Sequence, residues 1–232
     1  MKLENVKHIF WDLDHTLWDF DSNASDTLTI LFEKYELNAE LNTTAKEFIE
    51  KYQQINEECW ALYRVGKMEK DELRLVRYRK AFDHFGSQNI ELADRMGWEY
   101  MTECPQRTKL MPGTFKVLDA FAEKYQQHII TNGFLEVQEV KQTGSGLKPY
   151  FDVVVCSEEV GEKKPHPSVF KFALDKANAK PEESVMIGDT LEVDAIGGKD
   201  YGMVGIWYNP HGKDLEHDVI EINHLEELLT ML

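Results

Sequence analysis

Asp12 and Asp14, with Thr16 just beyond, follow directly on the apolar run Ile9-Phe10-Trp11. Two carboxylates crowded into one pocket repel each other, and a folded protein keeps both ionised only beside a compensating cation. A hard divalent ion such as Mg2+ suits them, because it takes oxygen ligands and retains several waters. Three later stretches bring further capable groups. Thr131-Asn132-Gly133 offers a hydroxyl and backbone N–H groups leading into a helix start, a combination that favours anions. Lys164-Pro165 offers an ammonium that would neutralise charge on a nucleophile and on a bound phosphate. Gly188-Asp189 offers a direct metal ligand, with Asp194 supporting it through a water or an indirect hydrogen bond. Each has a plainer reading too, since Asp and Thr are common in turns, most lysines lie at the surface, and Asp caps helices.

The elements that must position these groups follow from the apolar period. Residues 9–17 read as a short buried strand that turns just past Asp12, so that both acids aim into one pocket. Asp21 or Ser22 is the expected N-cap of a helix whose apolar residues, from Ala24, fall at Leu28, Leu31, Phe32 and Tyr35. Thr44-Ala45-Lys46-Glu47 is a capping box, opening a helix with Phe48, Tyr52, Ile55, Cys59 and Leu62 on one face. Gly66 interrupts it, and two more helical segments follow, one with Leu73 to Phe85 and one with Ile90 to Tyr100. From Thr114 the rhythm changes to alternation. Strands are expected at 128–130, 151–156, 184–187 and 203–207, helices at 135–140 and 167–177, and a closing helix at 225–232.

Strands alternating with helices build an α/β fold with a doubly wound parallel sheet. The helical block interrupts it after the first strand, which predicts an inserted all-helical cap: residues 1–20 and 105–232 form the core and 21–104 the cap. In such sheets ligands bind at the carboxyl ends of the strands, near the point where the strand order reverses. Every capable group above follows a predicted strand.

Composition narrows the chemistry. The chain has 232 residues, with 26 Lys and Arg against 42 Asp and Glu, a formal charge of −16. So acidic a surface repels nucleic-acid backbones and makes a small anionic substrate awkward unless a metal and a lysine create a local positive well. Cys59, Cys104 and Cys156 are odd in number and far apart, the pattern of reduced, mostly buried thiols in a cytoplasmic protein. No apolar run approaches the roughly 20 residues that span a bilayer, and Glu4 and His8 interrupt any signal-peptide core. A cytoplasmic protein is expected, a monomer or homodimer with no nucleic-acid polymer and no membrane as partner.

Together these stretches resemble the haloacid dehalogenase superfamily, most of whose members are Mg2+-dependent phosphohydrolases. Asp12-Leu13-Asp14-His15-Thr16 matches its first motif, Asp-x-Asp-x-Thr; Thr131 matches the second, Lys164 the third, and Gly188-Asp189 with Asp194 the fourth. The resemblance implies a Rossmann-like core and the following roles. Asp12 attacks phosphorus, and Asp14 protonates the leaving oxygen and then activates water. The Asp12 carboxylate, the Asp14 backbone carbonyl and Asp189 hold Mg2+, with Asp194 behind them. Thr131, Asn132 and Lys164 hold the phosphoryl oxygens. Relatives that cleave carbon–halogen bonds lack an acid at the position of Asp14, because halide leaves unprotonated, so phosphate esters are expected here. His15 stands where the motif often has glycine.

A narrower resemblance is to the bacterial house-cleaning pyrimidine 5′-nucleotidases, through Ile130 to Phe134, Ser157 to Gly161 with Lys164 to Pro167, and Gly188 to Thr190 through Asp194 to Gly198. It implies a small phosphorylated metabolite as partner, a nucleoside 5′-monophosphate foremost. A sugar phosphate, a phosphomutase reaction or a non-catalytic phosphate-binding module are the alternatives. Trp18 and Phe20, at the root of the cap, could stack on a base. Arg64 and Lys67, beside Trp60 and Tyr63 near the Gly66 break, are further specificity candidates, although core aromatics and solvated cations are the plainer reading. His8 and His128 are expected to pack rather than ligate.

Overall fold

The computed structural model describes residues Leu3–Leu232. The chain forms two compact units, one made of the segment up to Phe20 together with Thr108–Leu232, the other of Asp21–Arg107.

The first unit is built on a parallel sheet of six strands: β1 His8–Trp11, β2 Gln126–Thr131, β3 Val153–Cys156, β4 Ser184–Gly188, β5 Val204–Tyr208 and β6 Ile220–Ile222, in the order β3-β2-β1-β4-β5-β6. All four residues of β1 and all five of β4 are buried, as expected of parallel strands covered on both faces. The chain adds strands to one side of β1, then crosses back and adds the rest to the other. Strand order therefore reverses between β1 and β4, whose register pairs Trp11 with Ile187. The residues that follow these two strands are Asp12 and Asp189, at the crevice where such sheets bind ligands. One face is closed by Phe10, Ile130, Val155, Met186, Phe170 and Leu174.

The second unit is helical throughout its described elements. α1 Phe20–Lys34, α2 Leu37–Leu41, α3 Ala45–Arg64, α4 Lys70–His84 and α5 Ile90–Glu103 succeed one another. The capping box forms as read, with Thr44 Oγ1 accepting from the Glu47 N–H and the Glu47 carboxylate accepting from the Thr44 N–H. Phe48 gathers Phe32, Tyr52, Phe82 and Phe85 around it. Arg77 is buried, with its guanidinium on Asn56 Oδ1 at 2.7 Å and near the rings of Tyr78 and Tyr100. α1 opens at Phe20, ahead of the expected cap, which puts Asp21 in the first turn, where a carboxylate meets unpaired N–H groups.

Back in the sheet unit, α6 Thr114–Phe121, α7 Leu135–Gly144, α8 Pro167–Ala177 and α9 Gly197–Asp200 connect the strands. Three differences from the sequence reading have local causes. β3 starts at Val153, because the Asp152 N–H bonds to the Gln127 carbonyl at the strand's entrance and pairing with β2 begins only at the next residue. β6 is too short to show a period and exists because β5 leaves an edge for it. The closing segment Leu225–Thr230 is a 3-10 turn capped by Glu227 on the His224 N–H. Cys59, Cys104 and Cys156 are free and buried, and none of the described helices is long and apolar enough to cross a membrane.

Candidate active site

Lys164 stands at the centre of the capable groups. Its side chain is almost wholly buried, and its ammonium donates to Asp12 Oδ1 at 2.7 Å, Asp194 Oδ1 at 2.6 Å and the Ile130 carbonyl at 2.7 Å. An ammonium has three protons, and here each has a fixed acceptor, so its position is determined. Burial acts to lower the Lys164 ammonium, but the carboxylates of Asp12 and Asp194 outweigh it and raise it above the ordinary lysine range. It stays charged. Asn132 fixes the backbone that delivers it: Asn132 Oδ1 accepts from the Lys164 N–H at 2.8 Å, and Asn132 Nδ2 donates to the Lys164 carbonyl at 3.1 Å. The Asn132 side chain is thus occupied in holding the lysine loop rather than turned to a phosphoryl group.

Asp12 is set by the sheet, its N–H donating to the Ile187 carbonyl of β4 at 2.8 Å. Asp189 follows β4, and its carbonyl is held by the Trp207 indole N–H at 2.8 Å. Asp194 lies on the single π-helical turn Leu191–Ile196, a wide turn of the kind that re-aims a side chain at functional sites. Its Oδ2 accepts from the Thr190 N–H at 3.1 Å while Oδ1 serves Lys164.

Among the described residues, carboxylate oxygens of Asp12, Asp189 and Asp194 all lie within 4.8 Å of one another. Burial pushes the Asp12 carboxyl well up; Lys164 opposes this, and Asp194 and Asp189 add to it. Asp189 is pushed up to about 6, again chiefly by burial, with His15 opposing and Asp194 adding. One ammonium among two buried acids and the half-buried Asp189 leaves negative charge uncompensated, and an oxygen-only donor set of this size fits a hard divalent cation. Both oxygens of Asp194 are engaged by the protein, so Asp12 and Asp189 are the carboxylates better placed to hold an ion.

The Asp14 carboxylate is not part of this cluster. Oδ1 accepts from Lys141 Nζ at 2.5 Å and Oδ2 from Gln138 Nε2 at 2.8 Å. Only its backbone carbonyl remains a candidate for the metal. The turn that carries it needs a left-handed residue, and His15 has φ of 61° there, which explains why glycine suits that position and what His15 does in its place. The Thr16 hydroxyl is buried and finds no partner among the described residues.

The Thr131 hydroxyl accepts twice, from the Gly133 N–H at 3.0 Å and from Gln138 Nε2 at 2.9 Å. A hydroxyl has two acceptor positions and one proton, so the proton is what Thr131 has left to offer an anion. The expected contribution of the helix start is reduced, however. The Gly133 N–H turns back on Thr131, and the Leu135 N–H is taken by Glu158 Oε2 at 2.8 Å.

The specificity candidates fall in different places. Trp18 is fully buried and the Lys141 ammonium sits 4.4 Å from its ring centre, which leaves it no open face for a base. Phe20 is half-buried, 4.8 Å from the His15 ring and 5.5 Å from the Lys141 ammonium. Arg64 and Lys67 belong to the helical unit, Arg64 paired with Glu57 at the end of α3 and Lys67 exposed. His8 and His128 pack as expected, Nδ1 to Nε2 at 3.1 Å. Sequence reasoning missed Gln138 and Lys141. The buried residues of α7 are Gln138, Lys141 and Gln142, so a polar face where a core helix should be apolar was the signal.

Comparison with known proteins places this geometry. A model of the haloacid dehalogenase-like hydrolases matches residues 6–202. The chain is 31% identical to the pyrimidine 5′-nucleotidase YjjG of Escherichia coli, over 95% of this chain and 96% of that one. It is 29% identical to the human N-acylneuraminate-9-phosphatase, over 91% of this chain and 86% of that one. Among solved structures, the putative hydrolase YfnB of Bacillus subtilis, bound to magnesium, superposes with a TM-score of 0.88 at 26% identity, covering 98% of both chains.

Proposed function

This chain belongs to the haloacid dehalogenase-like hydrolases and is a phosphatase of that family, and we propose that it is a Mg2+-dependent phosphomonoesterase for nucleoside 5′-monophosphates, with Asp12 as nucleophile. The observation that carries the reading is Lys164, whose one buried ammonium is shared by Asp12 and Asp194 at the end of the sheet where Asp189 also lies. The likeness to YjjG supports a nucleotide substrate, and the likeness to N-acylneuraminate-9-phosphatase keeps a sugar phosphate as the second reading.

Phosphoryl transfer asks for position and charge more than for covalent chemistry. Lys164 holds Asp12 with one oxygen toward the ammonium, leaving the other to approach phosphorus. The Thr131 proton and the Lys164 charge receive phosphoryl oxygens. Mg2+ on Asp12, the Asp14 carbonyl and Asp189 would draw off negative charge developing on the transferring group. The P–O bond of the ester breaks as the Asp12 oxygen bonds to phosphorus, and Asp14 gives its proton to the leaving alcohol. Asp14 then takes a proton from the water that attacks the aspartyl phosphate, which frees inorganic phosphate and restores both acids.

The test is a screen of phosphorylated metabolites with Mg2+ and then with EDTA, on the native chain and on Asp12→Asn. Nucleoside monophosphates should be hydrolysed only with the metal, and the variant should be folded and inert. Turnover by Asp12→Asn would remove Asp12 as nucleophile, and a sugar phosphate as best substrate would install the second reading.

A further inference from the structure

The Asp14 carboxylate is gripped at both oxygens from one helix. Gln138 and Lys141 are three residues apart on α7 and therefore share a face. Lys141 is a buried lysine, a rare thing without a partner. Its ammonium has Asp14 Oδ1 at 2.5 Å on one side, with the Trp18 ring centre at 4.4 Å and the Phe20 ring centre at 5.5 Å. A cation against aromatic faces is held without competing for a second carboxylate, so its charge-assisted hydrogen bond goes to Asp14. Gln138, wholly buried, donates to Asp14 Oδ2 and to Thr131 Oγ1 through the same nitrogen. It thereby ties the acid to the hydroxyl that receives the phosphoryl group. Gly133 makes this possible, since a Cβ there would lie 1.8 Å from Gln138 Nε2.

We propose that Lys141 and Gln138 are positioning residues that orient Asp14 toward the oxygen leaving phosphorus, and that Trp18 and Phe20 act in the reaction by seating Lys141. This rests on Asp14 being the acid of the reaction proposed above. An acid out of position is costly when the leaving group is an alkoxide and far less so when it departs unprotonated.

The experiment compares kcat/KM, which covers the steps through alcohol release, on a nucleoside 5′-monophosphate and on p-nitrophenyl phosphate. Lys141→Met keeps the stem against the two rings and removes the ammonium; Lys141→Gln takes its place should the Met variant fail to fold. Either should lower the ratio of nucleotide to aryl-ester kcat/KM by about tenfold or more, and Lys141→Arg should recover part of it. Asp14→Asn is run alongside and should lower the same ratio further. If Lys141→Met slows both esters equally, or neither, while Asp14→Asn is selective, the positioning proposal is overturned and Asp14 stays the acid. If Asp14→Asn itself shows no selectivity, the assignment of Asp14 as the acid fails, and the proposal with it.

Discussion

A Cβ placed on Gly188 would lie 2.3 Å from both Cγ and Oδ2 of Asp194. The glycine that ends β4 is therefore the space into which the Asp194 carboxylate fits, and that carboxylate in turn takes one of the three protons of Lys164. Gly188 and Asp194 are spaced as they are because the π-helical turn brings the acid back against the strand end.

Gly188→Ala is expected to displace Asp194 and, through it, Lys164. Overpacking of this kind costs about 1–3 kcal/mol of stability, and a misplacement of about 1 Å at a reacting centre can cost about 100-fold in rate. Steady-state kinetics and denaturant melts check both. A variant with native kcat would show that Asp194 does not set the lysine.

Mg2+ should stabilise the folded chain. An ion that binds only the native state adds about 2.7 kcal/mol at 100 times its dissociation constant, or about 5–10 °C in Tm for a chain of this size. Asp189→Asn removes a carboxylate from the cluster and should abolish most of that shift in a thermal melt. An undiminished shift would place the ion elsewhere.

Acid should weaken the fold partly through His128. Burial, and then the neighbouring His8, lower its imidazole to about 4 from an ordinary 6.5. Between those values the unfolded chain binds a proton that the native one refuses, so stability rises with pH there. The contribution is fully present above about 6.5 and is lost as pH falls toward 4, up to about 3 kcal/mol in all. Urea melts at pH 7 and pH 4.5 should therefore show a smaller acid loss in His128→Gln than in the native chain. Equal losses in the two proteins would remove His128 as the cause.

The sequence by itself determined the sheet, the helical block and the order of the polar strand ends, because period and turn chemistry are local properties. Asp12, Thr131, Lys164 and Asp189 were legible since Asp12 and Asp189 directly follow β1 and β4, Thr131 closes β2 and Lys164 lies in the loop after β3, and a parallel sheet brings the carboxyl ends of its strands to one end. The partners of each group were left to the tertiary structure. Asp14 reads as an acid beside a metal, yet its carboxylate is claimed by Gln138 and Lys141, which lie 124 and 127 residues further along the chain. Trp18 reads as a face for a base, yet packing buries it and gives that ring to an ammonium. The side chain of Asn132 holds the backbone of Lys164, a pairing that its place beside Thr131 does not announce. A hydrogen bond is set by distance and direction over a few ångströms, and spacing along a chain does not encode either until the helices and strands have packed.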